Sequence, residues 1–266
     1  MRTAIIADVH GNRAALRAVI ADARRTAVRQ IVCLGDLVGH NALPRETLEL
    51  MRAAQIPSVV GNHDLMAIGQ LEPDDCEPGA RAAILWTRTV LSAEDVEYLR
   101  QLPDRLMLEP DGICVHSGLG DPVARLSTPD QFREQLTKLR RLDARLRVCF
   151  TGHTHVPGVV EVSPSGPIVT RKAAQLRLRS GSFYFVNPGT VGAPRGIDYR
   201  ASYAVYDRDA ATVFFRRVAY DKHEIVRANT RHGLETNNME LSLPAYAMRT
   251  ALRTVRRAGA RLKAAL

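Results

Sequence analysis

Five short apolar runs in the first 155 residues each stop at a polar turn that carries Asp, Asn or His. The turns are Asp8-Val9-His10, Gly35-Asp36, Gly61-Asn62-His63-Asp64, Val115-His116 and Gly152-His153-Thr154-His155. Short apolar runs bounded by turn residues read as strands buried on both faces, and amphipathic stretches between them read as helices. A chain with this alternation has few architectures open to it. Its strands lie in sheets, and segments far apart in sequence meet just past the strand ends. Ligand-type side chains at five such ends therefore converge on one edge.

The strand runs are Thr3–Ala7, Gln30–Leu34, Ser58–Val60, Gly112–Val115, Val148–Thr151, Phe183–Val186, Tyr203–Tyr206 and Val213–Arg216. Helical patterns cover Asn12–Arg25, Pro44–Ala54, the stretch capped by Ser92 with Asp95, and Thr128 to about Leu146. Strand–helix alternation followed by several strands predicts an α/β fold of two packed sheets with helices outside. Glu72–Glu77 reads as an acidic loop. Ser163–Ser182, with Arg171, Lys172, Arg177 and Arg179, reads as a basic hairpin. The divisions expected are a domain over 1–220 and a basic helical C-terminal extension over 221–266.

The formal net charge is +9, which suits acidic partners. No apolar stretch approaches the length of a membrane span, and no signal-peptide core precedes Asp8. Cys33, Cys76, Cys114 and Cys149 form no CxxC pair. Three of them lie inside apolar strands, where a free cysteine behaves as a small hydrophobe. Unpaired cysteines fit a reducing compartment, and the expected location is cytoplasmic.

A single strand-end His or Asp reads as a core histidine or a helix cap. Five in series complement one another chemically. Asp8 and Asp36 offer anionic oxygens, Asn62 an amide, and His10, His116, His153 and His155 imidazoles. Such a mixed N/O set suits two divalent ions from among Mn, Fe, Zn and Ni. Two divalent ions against two carboxylates leave an electropositive centre that attracts a phosphoryl group and acidifies water. His63 neighbours Asn62 without being needed as a ligand, and is the candidate proton donor. Asp64 is then its candidate orienting partner.

Together the five motifs resemble the calcineurin-like metallophosphoesterase superfamily. Asn187-Pro188-Gly189-Thr190-Val191-Gly192-Ala193-Pro194-Arg195, followed by Tyr203-Ala204-Val205-Tyr206, looks like its small prokaryotic phosphodiesterase-like branch. The resemblance runs from residue 1 to about 220. It implies a four-layer αββα sandwich of two mixed sheets flanked by helices. It implies one metal held by Asp8, His10, Asp36 and His155, with Asp36 bridging to a second held by Asn62, His116 and His153. It further implies Mn as the foremost metal, a metal-bridging hydroxide attacking phosphorus in line, and His63 assisting with Asp64 behind it. The Arg-Gly that protein phosphatases carry after the bridging aspartate is missing here, where the segment reads Asp36-Leu37-Val38-Gly39-His40-Asn41. A phosphodiesterase is therefore favoured. A phosphomonoesterase or protein phosphatase, and an interaction scaffold on the same fold, stay open. His40 stands where this branch carries an aromatic residue, and either contacts substrate or fills that place. Arg195 is a candidate phosphate contact.

From Pro244 to Leu266 the chain carries Arg249, Arg253, Arg256, Arg257, Arg261 and Lys263 and no acid. Met248, Leu252, Val255 and Leu262 recur at helical spacing, which predicts a basic amphipathic helix. Docking on the domain or on a second copy is favoured over capture of anionic lipid or nucleic acid.

Overall fold

Alternation within the first apolar run sets the layering. In β1 (Arg2–Ile6), Ala4 and Ile6 face a core beneath α1 (Arg13–Arg24), while Ile5 and the following Ala7 face a second core. That second core lies between two sheets, where Ile5, Val32 and Leu34 meet Phe150, Tyr184 and Val186. In this computed structural model, which describes residues 1–163 and 168–236, the result is the four-layer αββα sandwich.

One sheet runs β2-β1-β10-β11-β8, from β2 (Gln30–Cys33), β1, β10 (Ala201–Asp207), β11 (Thr212–Val218) and β8 (Gln175–Arg177). The other runs β3-β4-β5-β9-β6-β7, from β3 (Arg105–Leu108), β4 (Gly112–Val115), β5 (Val148–Phe150), β9 (Phe183–Asn187), β6 (Gly158–Val162) and β7 (Val169–Arg171). Both are mixed: β1 and β2 are parallel, as are β4, β5 and β9, and the remaining pairs are antiparallel. Helix α1, α2 (Pro44–Ala53) and α7 (His223–Arg231) cover the first sheet. Leu139 of α6 (Pro129–Leu142) packs on Ile113, Cys149 and Phe185 outside the second. Between β2 and β3 in sequence, α3 (Asn62–Ala67) packs against both α4 (Pro78–Val90) and α5 (Ala93–Arg100).

Three details depart from the sequence reading. Ser58–Val60 forms an isolated bridge to Cys33 instead of a strand, because Pro57 interrupts the ladder just before it. The basic segment is not a hairpin. Strand β7 pairs with β6 and β8 with β11, so the chain crosses from one sheet to the other between Arg171 and Gln175. Lys172-Ala173-Ala174 offers no tight-turn residues to fold it back. Helix α6 stops at Leu142, where Asp143 turns extended and its carboxylate accepts the Arg145 amide. The cap expected at Ser92 is present, with Asp95 completing the capping box and also receiving Arg45 and Arg52. Cys33, Cys114 and Cys149 are buried in three separate cores.

Helix α7 begins the stretch expected to form an extension. Its Ile225 and Val226 lie in the same core as Leu16, Val19 and Tyr203. The basic segment from Pro244 onward lies outside the described residues. Among the described residues no helix is long and apolar enough to cross a membrane.

Asp22 ties α1 to the sheet. Its buried carboxylate accepts from Tyr203 Oη and Arg216 Nε, both at 2.8 Å, and from Arg25 Nη2 at 2.8 Å. The Arg216 hydrogen bond, reinforced by Arg25 and Tyr203, holds this carboxyl far below the usual range. A depressed folded-state pKa stabilises above the unfolded value, near 3.9, and the contribution fades as pH falls below it. Asp22→Asn is therefore expected to cost about 1–3 kcal/mol at pH 7 in urea unfolding. The gap from wild type should narrow between pH 5 and pH 2. A gap that stays constant would show that the charge of Asp22 is not what stabilises.

Candidate metal centre

Parallel pairing places the C-terminal ends of β1 and β2, and of β4 and β5, on one edge of the sandwich. The chain leaves that edge through unusual backbone. Asp8, His10, Asp36, His153 and His155 have φ of 56°, 51°, 54°, 63° and 62°. A non-glycine residue is uncommon in this left-handed region, and each such strain costs about 1–3 kcal/mol. The turns are locked to each other by backbone bonds: Asp8 N to Gly35 O, His10 N to Asp36 O, and Gly152 N to His116 O. They also need bare backbone where they touch. A Cβ on Gly61 would stand 2.2 Å from Asp36 Oδ1, and one on Gly192 1.8 Å from Val9 O.

Ligand-type atoms gather into three sets: Asp8, His10, Asp36 and His155; Asp36, His116 and His153, which shares Asp36 with the first; and His10, His40 and His63. Nδ1 of His10, His116 and His155 faces the carbonyls of Val38, Leu34 and Ala193 at 3.1, 2.7 and 2.8 Å. A carbonyl only accepts, so each Nδ1 carries the hydrogen and each Nε2 is a bare lone pair. Yet His10 Nε2 and His155 Nε2 stand 3.1 Å apart. Asp36 Oδ2 lies 3.6 Å from His10 Nε2 and 3.5 Å from His116 Nε2, while its Oδ1 accepts the His63 amide at 2.8 Å. Asn62 Oδ1 is 2.9 Å from His116 Nε2 and 3.0 Å from His153 Nδ1. Asp8 Oδ2 is buried without a partner. Acceptors turned toward acceptors fit divalent cations bound among them. Burial, with the neighbouring carboxylates, pushes the Asp8 carboxyl up to about 8 and Asp36 well above the carboxylate range. Burial also depresses His10 and His155 and takes His116 down to about 3, so these rings are neutral, as ligands must be.

His63 is buried against this cluster, and burial together with the nearby imidazoles keeps it neutral too. Asp64 does not stand behind His63. Its Oδ1 accepts the Leu37 and Val38 amides at 2.8 and 3.2 Å, and its Oδ2 accepts Gly61 N at 3.0 Å. Successive side chains around α3 point about 100° apart, so adjacent residues face different ways. Half-buried His40 packs on His10 and His63. Arg195 is exposed at the rim, and its charge reaches Asp8, Asp36, His153 and His155.

Several residues here lay outside the sequence reading. Arg125 is a second rim cation whose charge reaches His153. It sits on a loop fixed by Leu119 N to buried Gln135 Oε1, and no local pattern marks it. Asn41 donates to His10 O and Gly192 O, and buried Asn229 of α7 donates to Asn41 Oδ1. Thr190 Oγ1 donates to Asp8 O, an interaction that the Asn187–Arg195 motif signalled only as a loop.

Residues 1–211 match the model of the calcineurin-like phosphoesterase superfamily domain. The chain is 33% identical over 224 residues to the Methanocaldococcus jannaschii protein MJ0912, covering 82% of this chain and 87% of that protein. Among solved structures it is similar to a metallophosphoesterase from Sphaerobacter thermophilus, with 38% identity and a TM-score of 0.71 over 88% of this chain and 95% of that one. The Pyrococcus horikoshii protein PH1004 shares the fold at 20% identity, with a TM-score of 0.69 over 90% of this chain and 96% of that one.

Cation binding should stabilise the fold. Mn²⁺ at a hundred times its dissociation constant adds about 2.7 kcal/mol, or about 5–10 °C in melting temperature for a domain of this size. Asp36→Asn, which alters the carboxylate shared by the first two sets, is expected to abolish most of that rise. No rise in the wild type would contradict cation binding at this cluster. Gly61→Ala should lower the bound-metal count measured on dialysed protein while far-UV dichroism is kept.

Proposed function

The chain belongs to the calcineurin-like phosphoesterase superfamily, and from that premise we propose that it is a phosphodiesterase dependent on two divalent cations, Mn²⁺ foremost. The observation that supports this best is the pair of ligand sets sharing Asp36. When bound, two close divalent ions polarise a phosphoryl oxygen and lower the pKa of water, so that hydroxide is available at neutral pH. Asp8, His10, Asp36 and His155 would hold one ion, and Asp36, Asn62, His116 and His153 the other.

The protein's own groups then position the ester. Neutral His63 is the hydrogen-bond donor to a phosphate or leaving oxygen, beside the cluster and shielded from water. Asp64 serves catalysis indirectly, by fixing the Asp36 and Asn62 loops through backbone amides. Arg195 and Arg125 at the rim draw in an anionic substrate.

The preference for a diester rests on charge. The arginine that protein phosphatases carry after the bridging aspartate is missing from Asp36-Leu37-Val38-Gly39-His40-Asn41. Beside the ligand sets stand the neutral imidazole of His63 and the ring of His40. A monoester's second negative charge therefore meets only the rim arginines, whereas a singly charged diester needs no further cation. Four free cysteines accord with action in a reducing cytoplasm.

Metal-stripped protein resupplied with Mn²⁺ should hydrolyse bis(p-nitrophenyl) phosphate faster than p-nitrophenyl phosphate. Preference for the monoester would replace the diesterase reading with a phosphomonoesterase one. His63→Ala should retain both metals and lose about 10²–10⁴-fold in turnover. Undiminished activity on a poor leaving group would remove the donor role.

A further inference from the structure

His40 is a sixth imidazole at the cluster, outside both shared-Asp36 cation sets. Its ring lies nearly parallel to that of His63, with centroids 4.8 Å apart and planes 27° apart. It meets His10 edge-on, at 4.4 Å and 87°. The orientation of His63 depends on such contacts. Its buried Nδ1 makes no well-formed hydrogen bond and has only a loose polar contact with the Gly39 backbone beside it. Its backbone amide is held by Asp36, which fixes the Cα and not the ring. Asp64, the neighbour that could have fixed the ring, is turned to backbone amides.

Three surfaces remain to set the ring. Gly39 closes one side, where a Cβ would lie 2.7 Å from His63 Nδ1. The His10 ring lies edge-on at 4.7 Å and 75°. The face of His40 supplies the third surface, from a half-buried position, whereas His10 is fully buried. Offset-stacked and edge-to-face rings attract each other and restrict rotation.

We propose that His40 is a positioning residue: its ring is the plate against which His63 is stacked, and it holds the His63 donor in the orientation that meets the substrate oxygen. The proposal rests on His63 being that donor. The plate role needs a flat ring and no nitrogen, whereas direct contact between His40 and substrate would need the nitrogen. His40→Phe and His40→Ala therefore separate the two.

The first readout is made on metal-free protein, by long-range ¹H–¹⁵N correlation of the imidazole resonances. Wild type and His40→Phe should each show one sharp set for His63, and His40→Ala a broadened or split set. The second is turnover of bis(p-nitrophenyl) phosphate with Mn²⁺. His40→Ala should lose about 10–100-fold in kcat with little change in KM, the scale expected when a reacting group is misplaced by about 1 Å. His40→Phe should recover most of it. An unperturbed His63 resonance in His40→Ala overturns the proposal. So does a His40→Phe enzyme as slow as His40→Ala. If the wild type turns over neither ester, the phosphodiesterase reading falls, and the resonance experiment still decides whether His40 positions His63.

Discussion

His10 Nε2 and His155 Nε2 face each other at 3.1 Å, and each is stripped of hydrogen because its Nδ1 donates to a carbonyl. Close by, Asp36 and the partnerless Asp8 Oδ2 are shut away from water. Such an array is repulsive in itself. A medium of low dielectric magnifies the repulsion, and equally magnifies the gain when positive charge enters. The rest of the architecture can be understood as what is required to keep these groups together.

Five candidate ligands sit at positive φ, each a strained position that costs about 1–3 kcal/mol. Turns under such strain persist only when their surroundings over-determine them. Here they are interlocked by backbone bonds, and a ring of polar side chains, buried except for half-buried Asn187, completes the lock. Asn12 and Asn41 donate to Gly192 O, Thr190 donates to Asp8 O, and Asn187 donates to Gly152 O. Asn229 closes the ring from α7, with its side chain bonded to Asn41 and Ala42. Helix α7 thus braces the turn that carries His10, which gives its packing on α1 a bearing on the site.

How much of this was legible in the sequence follows from the range of the interactions. Strands ending in Asp8, Asp36, His116 and His153 were readable because apolar alternation and the residue after each run are local facts. The two-sheet layering followed from the order of elements. The destination of β7 and β8 was not readable, since neither strand carries a mark of which sheet it joins. Arg125 and Asn229 lie in stretches without motif character and gain meaning only from the loops and helix that bring them near the cluster. Asp64 was assigned to His63 by adjacency, and adjacency on a helix means divergence in space.

That divergence is what makes the Gly61–Asp64 motif effective. Asn62 turns its amide oxygen into the cavity, toward His116 and His153. His63 gives its backbone amide to Asp36 Oδ1, and Asp64 pins Gly61 to Leu37 and Val38 on the two sides of the same turn. With Oδ1 so occupied, Asp36 presents Oδ2 at nearly equal distance to His10 and His116, one from each ligand set that shares it. That division, one oxygen immobilised and the other central, would suit a carboxylate shared between two cations. Gly61 then has to be glycine because Asp36 is drawn so close that no Cβ fits between them. The short helix α3 thus fixes the carboxylate that joins the two halves of the site, and does so with backbone as much as with side chains.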